Sequence, residues 1–296
     1  MDLTLEEWRK EARAFDFEGY TMACWLGGNA RRKPLVLVHG FPTASFDWAR
    51  VWDALGTDHA LIAVDMLGFG LSEKPRNGVD NGDGGEGYSI HRQADLQEAL
   101  LTHLGIAEYD LLVHDYGVSV GQEMLARNQQ GEGAAGLGKV IFLNGGIFPD
   151  QHRPRPIQTL GLSRLGPLVS MGLNRKKFGK SFSEIFGPKT QPSEQELDDF
   201  WWLIQHNGGH RIFHKLLHYI ADRREHETRW VGALKAGVDR IGLINGALDP
   251  VSGRHAYDKW RATVPEARHH LLTQVGHYPQ VEAPDAVSAK VLDWLG

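Results

Sequence analysis

The chain has 296 residues, 42% of them hydrophobic and 23% charged, with nine tryptophans, a balance that belongs to a folding globular chain and excludes a disordered one. Its length suits one large α/β core with a smaller insertion. A net charge of −5 and a pI near 6.3 argue against counterion-driven binding of nucleic acid or of a membrane surface, leaving open only a local basic patch, so small-molecule chemistry is expected.

The amino-terminal stretch MDLTLEEWRKEARAF carries acids and mixed polarity where a secretory leader needs a basic start and an apolar run, which predicts a cytoplasmic protein. Cys24 is the only cysteine, so no intramolecular disulfide and no cysteine cluster for zinc or iron–sulfur is available. It is expected in the core. No apolar run approaches the ~20 residues needed to cross a bilayer.

Short β-branched apolar runs that end in glycine-containing turns follow at 34–40, 60–68, 109–117, 139–146 and 240–246. Segments of helical spacing lie between them, such as 91–104, 122–127 and 256–264. That alternation predicts parallel strands joined by crossover helices, an α/β fold. Residues 76–88, RNGVDNGDGGEGY, hold too little apolar surface for a regular element and are expected to form a surface loop. From 147 to 230 the strand rhythm stops. The text becomes helical, broken by Pro and Gly, and carries Phe178, Phe182, Phe186, Phe200, Trp201, Trp202 and Phe213. This predicts a helical lid, or cap, inserted into a core made of 1–146 and 231–296. Its aromatic stripe reads mainly as packing of lid on core, with some members facing a cavity.

The strand at 109–114 runs into Asp115, Tyr116 and Gly117 and then into a helix. Such an elbow exposes one side chain at the strand's carboxyl end, close to backbone N–H groups and a helix amino terminus. Two residues compete for the apex. Asp115 directly follows the completed apolar run, whereas GVSVG at 117–121 spells the serine-hydrolase pattern but sets Ser119 about a turn inside the helix. Asp115 is favoured, because its bland reading as a helix N-cap leaves the downstream partners unexplained.

Those partners are Asp249, after the run 240–246, and His277, between another short strand and Pro279. The chain order is nucleophile, acid, histidine. His39, Gly40, Phe41 and Pro42 follow the run 34–38, where a loop can bring the Phe41 N–H toward the apex to join that of Tyr116 as an oxyanion hole. His39, His114, Trp202 and Tyr219 are taken as substrate-facing. A carboxylate with an ordinary pKa of ~3.9 is ionised at neutral pH and attacks without giving up a proton. Its attack on a saturated carbon bearing an epoxide oxygen or a halide leaves a stable ester, which water activated by His277 would hydrolyse. No metal or organic cofactor is required.

The motifs HGFP at 39–42, HDYG at 114–117, LDPV at 248–251 and HYPQ at 277–280 resemble the α/β-hydrolase superfamily, in the branch that contains epoxide hydrolases and haloalkane dehalogenases. The resemblance spans nearly the whole chain and implies a mostly parallel sheet with an inserted cap. It implies cofactor-independent hydrolysis, with an epoxide first, a carboxylic ester or lactone through Ser119 or an unusual aspartate second, and a haloalkane third. A hydrolase-fold binding protein is the non-enzymatic alternative. Family epoxide hydrolases protonate the opening ring from lid tyrosines, and Tyr219 is the only tyrosine between 147 and 230. Dehalogenases hold the halide with a tryptophan after the nucleophile and an Asn or Trp partner, whereas here Tyr116 follows Asp115 and Phe41 stands after His39–Gly40. The expected partner is a small hydrophobic substrate, with monomer and homodimer both open.

Overall fold

The computed structural model describes residues 3–75, 87–151, 153 and 155–296. Helix α1 (Leu5–Lys10) opens the chain under a capping box, in which the Thr4 hydroxyl accepts the Glu7 N–H and the Glu7 carboxylate accepts the Thr4 N–H. Strands β1 (Arg13–Phe17) and β2 (Tyr20–Gly28) form a hairpin. They join β3 (Pro34–Val38), β4 (Ala60–Val64), β5 (Glu108–Val113), β6 (Gly136–Phe142), β7 (Ile241–Gly246) and β8 (Arg268–Leu272) in one sheet. The strand order is β1-β2-β4-β3-β5-β6-β7-β8; β2 lies antiparallel to β1 and β4, and every other pairing is parallel.

The five apolar runs between 34 and 246 are thus the parallel heart of the sheet. The hairpin is an addition to the expected strands. Its strand β1 alternates exposed and buried residues, and it turns through Glu18 and Gly19 at φ 52° and 84°, the conformation of a two-residue hairpin turn that matches strand twist. Helices α2 (Ala49–Gly56), α3 (Ile90–His103) and α4 (Tyr116–Gln130) are crossovers or flank the sheet. Between β6 and β7 run α5 (Pro156–Gly161), α6 (Gly166–Met171), α7 (Arg175–Ser183), α8 (Glu194–Gln205), α9 (Phe213–Leu216), α10 (Tyr219–Glu225) and α11 (Glu227–Ala236). After β7 come α12 (Arg254–Thr263), α13 (Pro279–Glu282) and α14 (Pro284–Leu295). The expected loop at 76–88 lies, up to residue 86, outside the described residues. Among the described residues no helix is long and apolar enough to cross a membrane.

Side chains that alternate along the parallel strands build a core on each face of the sheet. Val36, Val38, Leu111, Val113 and Phe142 pack with α3, α4 and the helices between β6 and β7. Leu35, Leu37, Leu112 and Ile141 face Trp8, Trp48 and α14, where Val287 and Val291 are fully buried. Burying each such side chain contributes about 1.5–3 kcal/mol. Cys24 is buried, as expected.

Helix α11 crosses position 230 and is fastened to α4 by one acid. Buried Glu123 accepts hydrogen bonds from Trp230 Nε1 at 2.8 Å, Arg229 Nε at 2.9 Å and Arg127 Nε at 2.9 Å, with His91 Nδ1 at 3.1 Å. Replacing Glu123 with Ala takes one acceptor from Arg127 and Arg229, which keep Asp95, Glu98 and Gln130, and removes the acceptor of the buried Trp230 indole N–H. We expect a loss of about 2–4 kcal/mol in urea unfolding, with the geometry around Asp115 preserved in the folded fraction.

Candidate active site

Strand β5 ends at Val113 and α4 begins at Tyr116. Asp115 between them adopts φ 45° and ψ −101°, a left-handed conformation that costs on the order of 1–3 kcal/mol in a residue with a Cβ. Its surroundings hold it there. The Asp115 N–H donates to Asn144 O at 2.8 Å, and Arg223 Nη2 donates to Asp115 O at 2.8 Å. Gly117 lies so close beneath the preceding loop that a Cβ would sit 2.4 Å from Val38 O. Only glycine lets the turn dock there.

The strained turn aims the Asp115 carboxylate at two groups from distant segments. The Phe41 N–H donates to Oδ2 at 3.0 Å, and His277 Nε2 lies 3.5 Å from Oδ1. On the other side of the ring, His277 Nδ1 is 2.7 Å from Asp249 Oδ2. Asp249 is itself held by the Ser252 hydroxyl at 2.6 Å, the Val251 N–H at 2.7 Å and Asn144 Nδ2 at 3.0 Å. Asn144 therefore touches both acids, one through its carbonyl and one through its amide.

Burial opposes charge on the His277 ring, but the Asp249 carboxylate, then Asp115, outweigh it and push the imidazole up to about 10. Burial likewise works against ionised Asp115, and the hydrogen bond and charge of His277, followed by Arg223, hold it well below the usual carboxylate range. For Asp249 burial is overcome by His277, Ser252 and the Val251 N–H, which bring it down to about 2. At neutral pH one imidazolium thus sits between two carboxylates.

Ser119 is placed elsewhere. It lies inside α4, and its Oγ accepts a hydrogen bond from Arg223 Nε at 2.7 Å. Arg223, only 1% exposed, also stacks its guanidinium 4.4 Å from the centre of the Tyr219 ring. This arginine belongs to none of the sequence motifs. Its one sequence signal is the four-residue spacing from Tyr219 on a helix, which puts both on one face.

Asp115 and His277 open onto a cavity of about 80 Å³, with Phe41 and Pro42 on the sheet side. Phe178, Phe182 and Phe213, three of the aromatic residues expected in the lid, line the opposite wall, with Arg155, Gln158 and Ser181 as its polar groups. Arg155 is paired with Glu184. A larger groove of about 850 Å³ opens between α1 and α8, away from Asp115.

Four expected substrate contacts are placed differently. His39 does not line the cavity: Nδ1–H donates to Gly40 O at 2.8 Å and Nε2 accepts the Met66 N–H at 3.0 Å, so the ring braces its own loop. His114 donates from Nε2 to His277 O at 2.7 Å and fixes that backbone; burial, reinforced by the charge of His277, lowers its pKa to about 3. Trp202 faces the groove beside α1, stacked on His206 and 3.9 Å from the Arg9 guanidinium, because the buried face of α8 is taken by Leu197, Phe200, Leu203 and Ile204. Tyr219 is fully buried just behind the wall, its ring centre 5.9 Å from that of Phe41 and its hydroxyl accepting from Gln158 Nε2 at 3.3 Å. Burial and the Asp115 charge raise its pKa. Tyr116 begins α4, and its buried phenol donates to Tyr88 O at 2.9 Å.

A raised histidine stabilises the fold below its unfolded pKa of ~6.5, and that contribution is lost as pH rises toward about 10. The melting temperature of wild type should therefore exceed that of His277→Gln most at about pH 6, below the unfolded pKa. The gap should narrow steadily as the pH is raised to about 10 in a calorimetric series.

The sequence profile of the alpha/beta hydrolase family matches residues 35–290. The human mesoderm-specific transcript homolog protein is 38% identical over 292 residues, covering 95% of this chain and 84% of that protein. A cis-3-alkyl-4-alkyloxetan-2-one decarboxylase from Shewanella oneidensis is 29% identical over 278 residues, 89% of this chain and 82% of that one. Among solved structures, the epoxide hydrolase CorEH superposes with a TM-score of 0.74 over 96% of this chain and 98% of its own, at 19% identity, a likeness of fold. With its elbow at Asp115, its mostly parallel sheet and this match across most of its length, the chain belongs to the alpha/beta hydrolase family.

Proposed function

We propose that this protein opens epoxides of small hydrophobic molecules through a covalent ester on Asp115 and then hydrolyses that ester. The observation that carries the reading is that His277 Nε2 faces Asp115 Oδ1 at 3.5 Å, whereas Ser119 Oγ is engaged by Arg223. Asp115, His277 and Asp249 are the catalytic residues of this reading, and residues 147–230 act as a lid on a core of 1–146 and 231–296. The small, aromatic-walled cavity supports a compact apolar substrate.

In the first step one Asp115 oxygen attacks a ring carbon. The ring C–O bond breaks, its electron pair passes to the epoxide oxygen, and that oxygen takes the Tyr219 phenol proton, a step that requires the buried hydroxyl to turn from Gln158 to the cavity. Esterification removes the Asp115 charge, one of the two anions that hold the proton on His277. The imidazolium becomes more acidic and returns a proton to the Tyr219 phenolate through cavity water. Neutral His277 then takes a proton from a water molecule as that water attacks the Asp115 carbonyl carbon, and the N–H groups of Phe41 and Tyr116 receive the oxyanion. Collapse expels the substrate oxygen, which leaves as an alcohol with the His277 proton. The acid formed on Asp115 then passes its proton to His277, restoring the starting pair and completing a diol.

A lactone reading has one observation in its favour, since the Shewanella oneidensis relative is named for an oxetan-2-one, another strained oxygen ring. A β-lactone turned over with release of carbon dioxide, beside inert epoxides, would select it.

In His277→Ala mixed with a reactive epoxide, ester formation should continue while its hydrolysis stops. Intact mass and peptide mapping should then show the whole epoxide added to the peptide that contains Asp115. An unmodified Asp115, with an epoxide that wild type turns over, rejects the carboxylate mechanism. Asp249→Asn should keep its fold by circular dichroism and lose roughly 10²–10⁴-fold in kcat. Tyr219→Phe should slow ester formation in single-turnover kinetics and spare the hydrolysis of preformed ester.

A further inference from the structure

We propose that the outer surface of α5–α7 docks this protein on an anionic phospholipid bilayer, without spanning it. Six large apolar side chains are exposed among the described residues, and five of them fall in one short stretch: Leu160, Leu162, Leu165, Leu168 and Met171, between 41% and 69% exposed. Leu165, Leu168 and Met171 recur every three residues and form one stripe along α6. A soluble surface rarely gathers its bare leucines this way.

The same stretch has a charge of its own. From 151 to 183 the sequence contains seven Lys and Arg and no Asp or Glu, in a chain whose net charge is −5. Two of these cations are answered by acids from outside the stretch, Arg155 by Glu184 and Arg175 by Glu194 and Asp198. Arg164, next in sequence to Leu165, and Lys176, Lys177 and Lys180 on α7 are exposed, and the Lys177 ammonium donates to Gly172 O at the end of α6. Exposed leucines rimmed by lysine and arginine suit the boundary between acyl chains and anionic headgroups. A second copy of the chain suits the face poorly, because two-fold apposition would bring the same cations together.

This surface is also the outside of the cavity wall. Leu173, Phe178 and Ser181 belong to the same stretch and line the space in front of Asp115. Docking therefore sets this wall of the cavity against the bilayer. On the reading of Asp115 as nucleophile, the substrate is a lipophilic molecule that partitions into membranes.

The test is co-sedimentation of the full chain with phosphatidylcholine vesicles, alone or with roughly 30% phosphatidylglycerol. We expect binding to the anionic vesicles that falls as salt is raised, and little to the neutral ones. Leu168→Ser with Met171→Ser should weaken it about tenfold or more, as should Arg164→Glu with Lys176→Glu and Lys180→Glu. The charge-reversal set alters no buried packing, so it keeps the test sound if the apolar pair loosens α6. Equal partition into both vesicle types, or absence from the pellet, overturns the proposal. So does a wild-type dimer in analytical ultracentrifugation that the Leu168 and Met171 substitutions dissociate. Vesicle binding is read without turnover, so failure of the Asp115 ester experiment leaves this result standing.

Discussion

The arrangement around Asp115 depends on one strained turn. A residue with a Cβ is held in left-handed backbone between β5 and α4, and the neighbouring segments are shaped to keep it there. Asn144 accepts its N–H, Arg223 binds its carbonyl, and Gly117 brings the turn against the backbone at Val38. Relaxing the turn would swing the carboxylate off both the Phe41 N–H and His277. Strain at this point is thus the local cost of presenting a buried carboxylate to the cavity.

The second constraint is electrostatic. Asp115 and Asp249 are almost wholly buried, and two anions this close are tolerable only with a cation between them. His277 supplies it, and the His114 ring, neutral and beneath it, holds the His277 backbone in place. The site is therefore a compensated cluster, with polar donors from Ser252, Val251 and Asn144 satisfying the remaining lone pairs. Such a cluster responds to loss of any one charge by shifting the proton affinity of the others. That property couples ester formation on Asp115 to the state of His277 in the proposed reaction.

The helices between β6 and β7 divide their surfaces between two tasks. Inward, Phe178, Phe182 and Phe213 enclose the cavity; outward, α5 and α6 leave leucines bare in a stretch that carries cations and no acids. Tyr219 and Arg223 occupy the seam, where one helix reaches both the Phe41 ring and the backbone of Asp115.

Much of the fold was legible because buried parallel strands write themselves as continuous apolar runs, and glycine marks the turns at their carboxyl ends. That is how the segments of Asp115, Asp249 and His277 could be ordered before their meeting was visible. The β1–β2 hairpin was less legible, since an edge strand that alternates exposed and buried residues offers few consecutive apolar positions. By itself the sequence determined the α/β class, the elbow segment, the chain order of its polar residues and a helical insertion. Only the tertiary structure decided that Ser119 is bound by Arg223, that His39 and His114 brace loops, and that Trp202 faces a different groove. Each of those outcomes joins residues far apart in the chain, or turns a side chain to one face of a helix rather than another. Local composition is blind to both, because the partner that settles them arrives through packing.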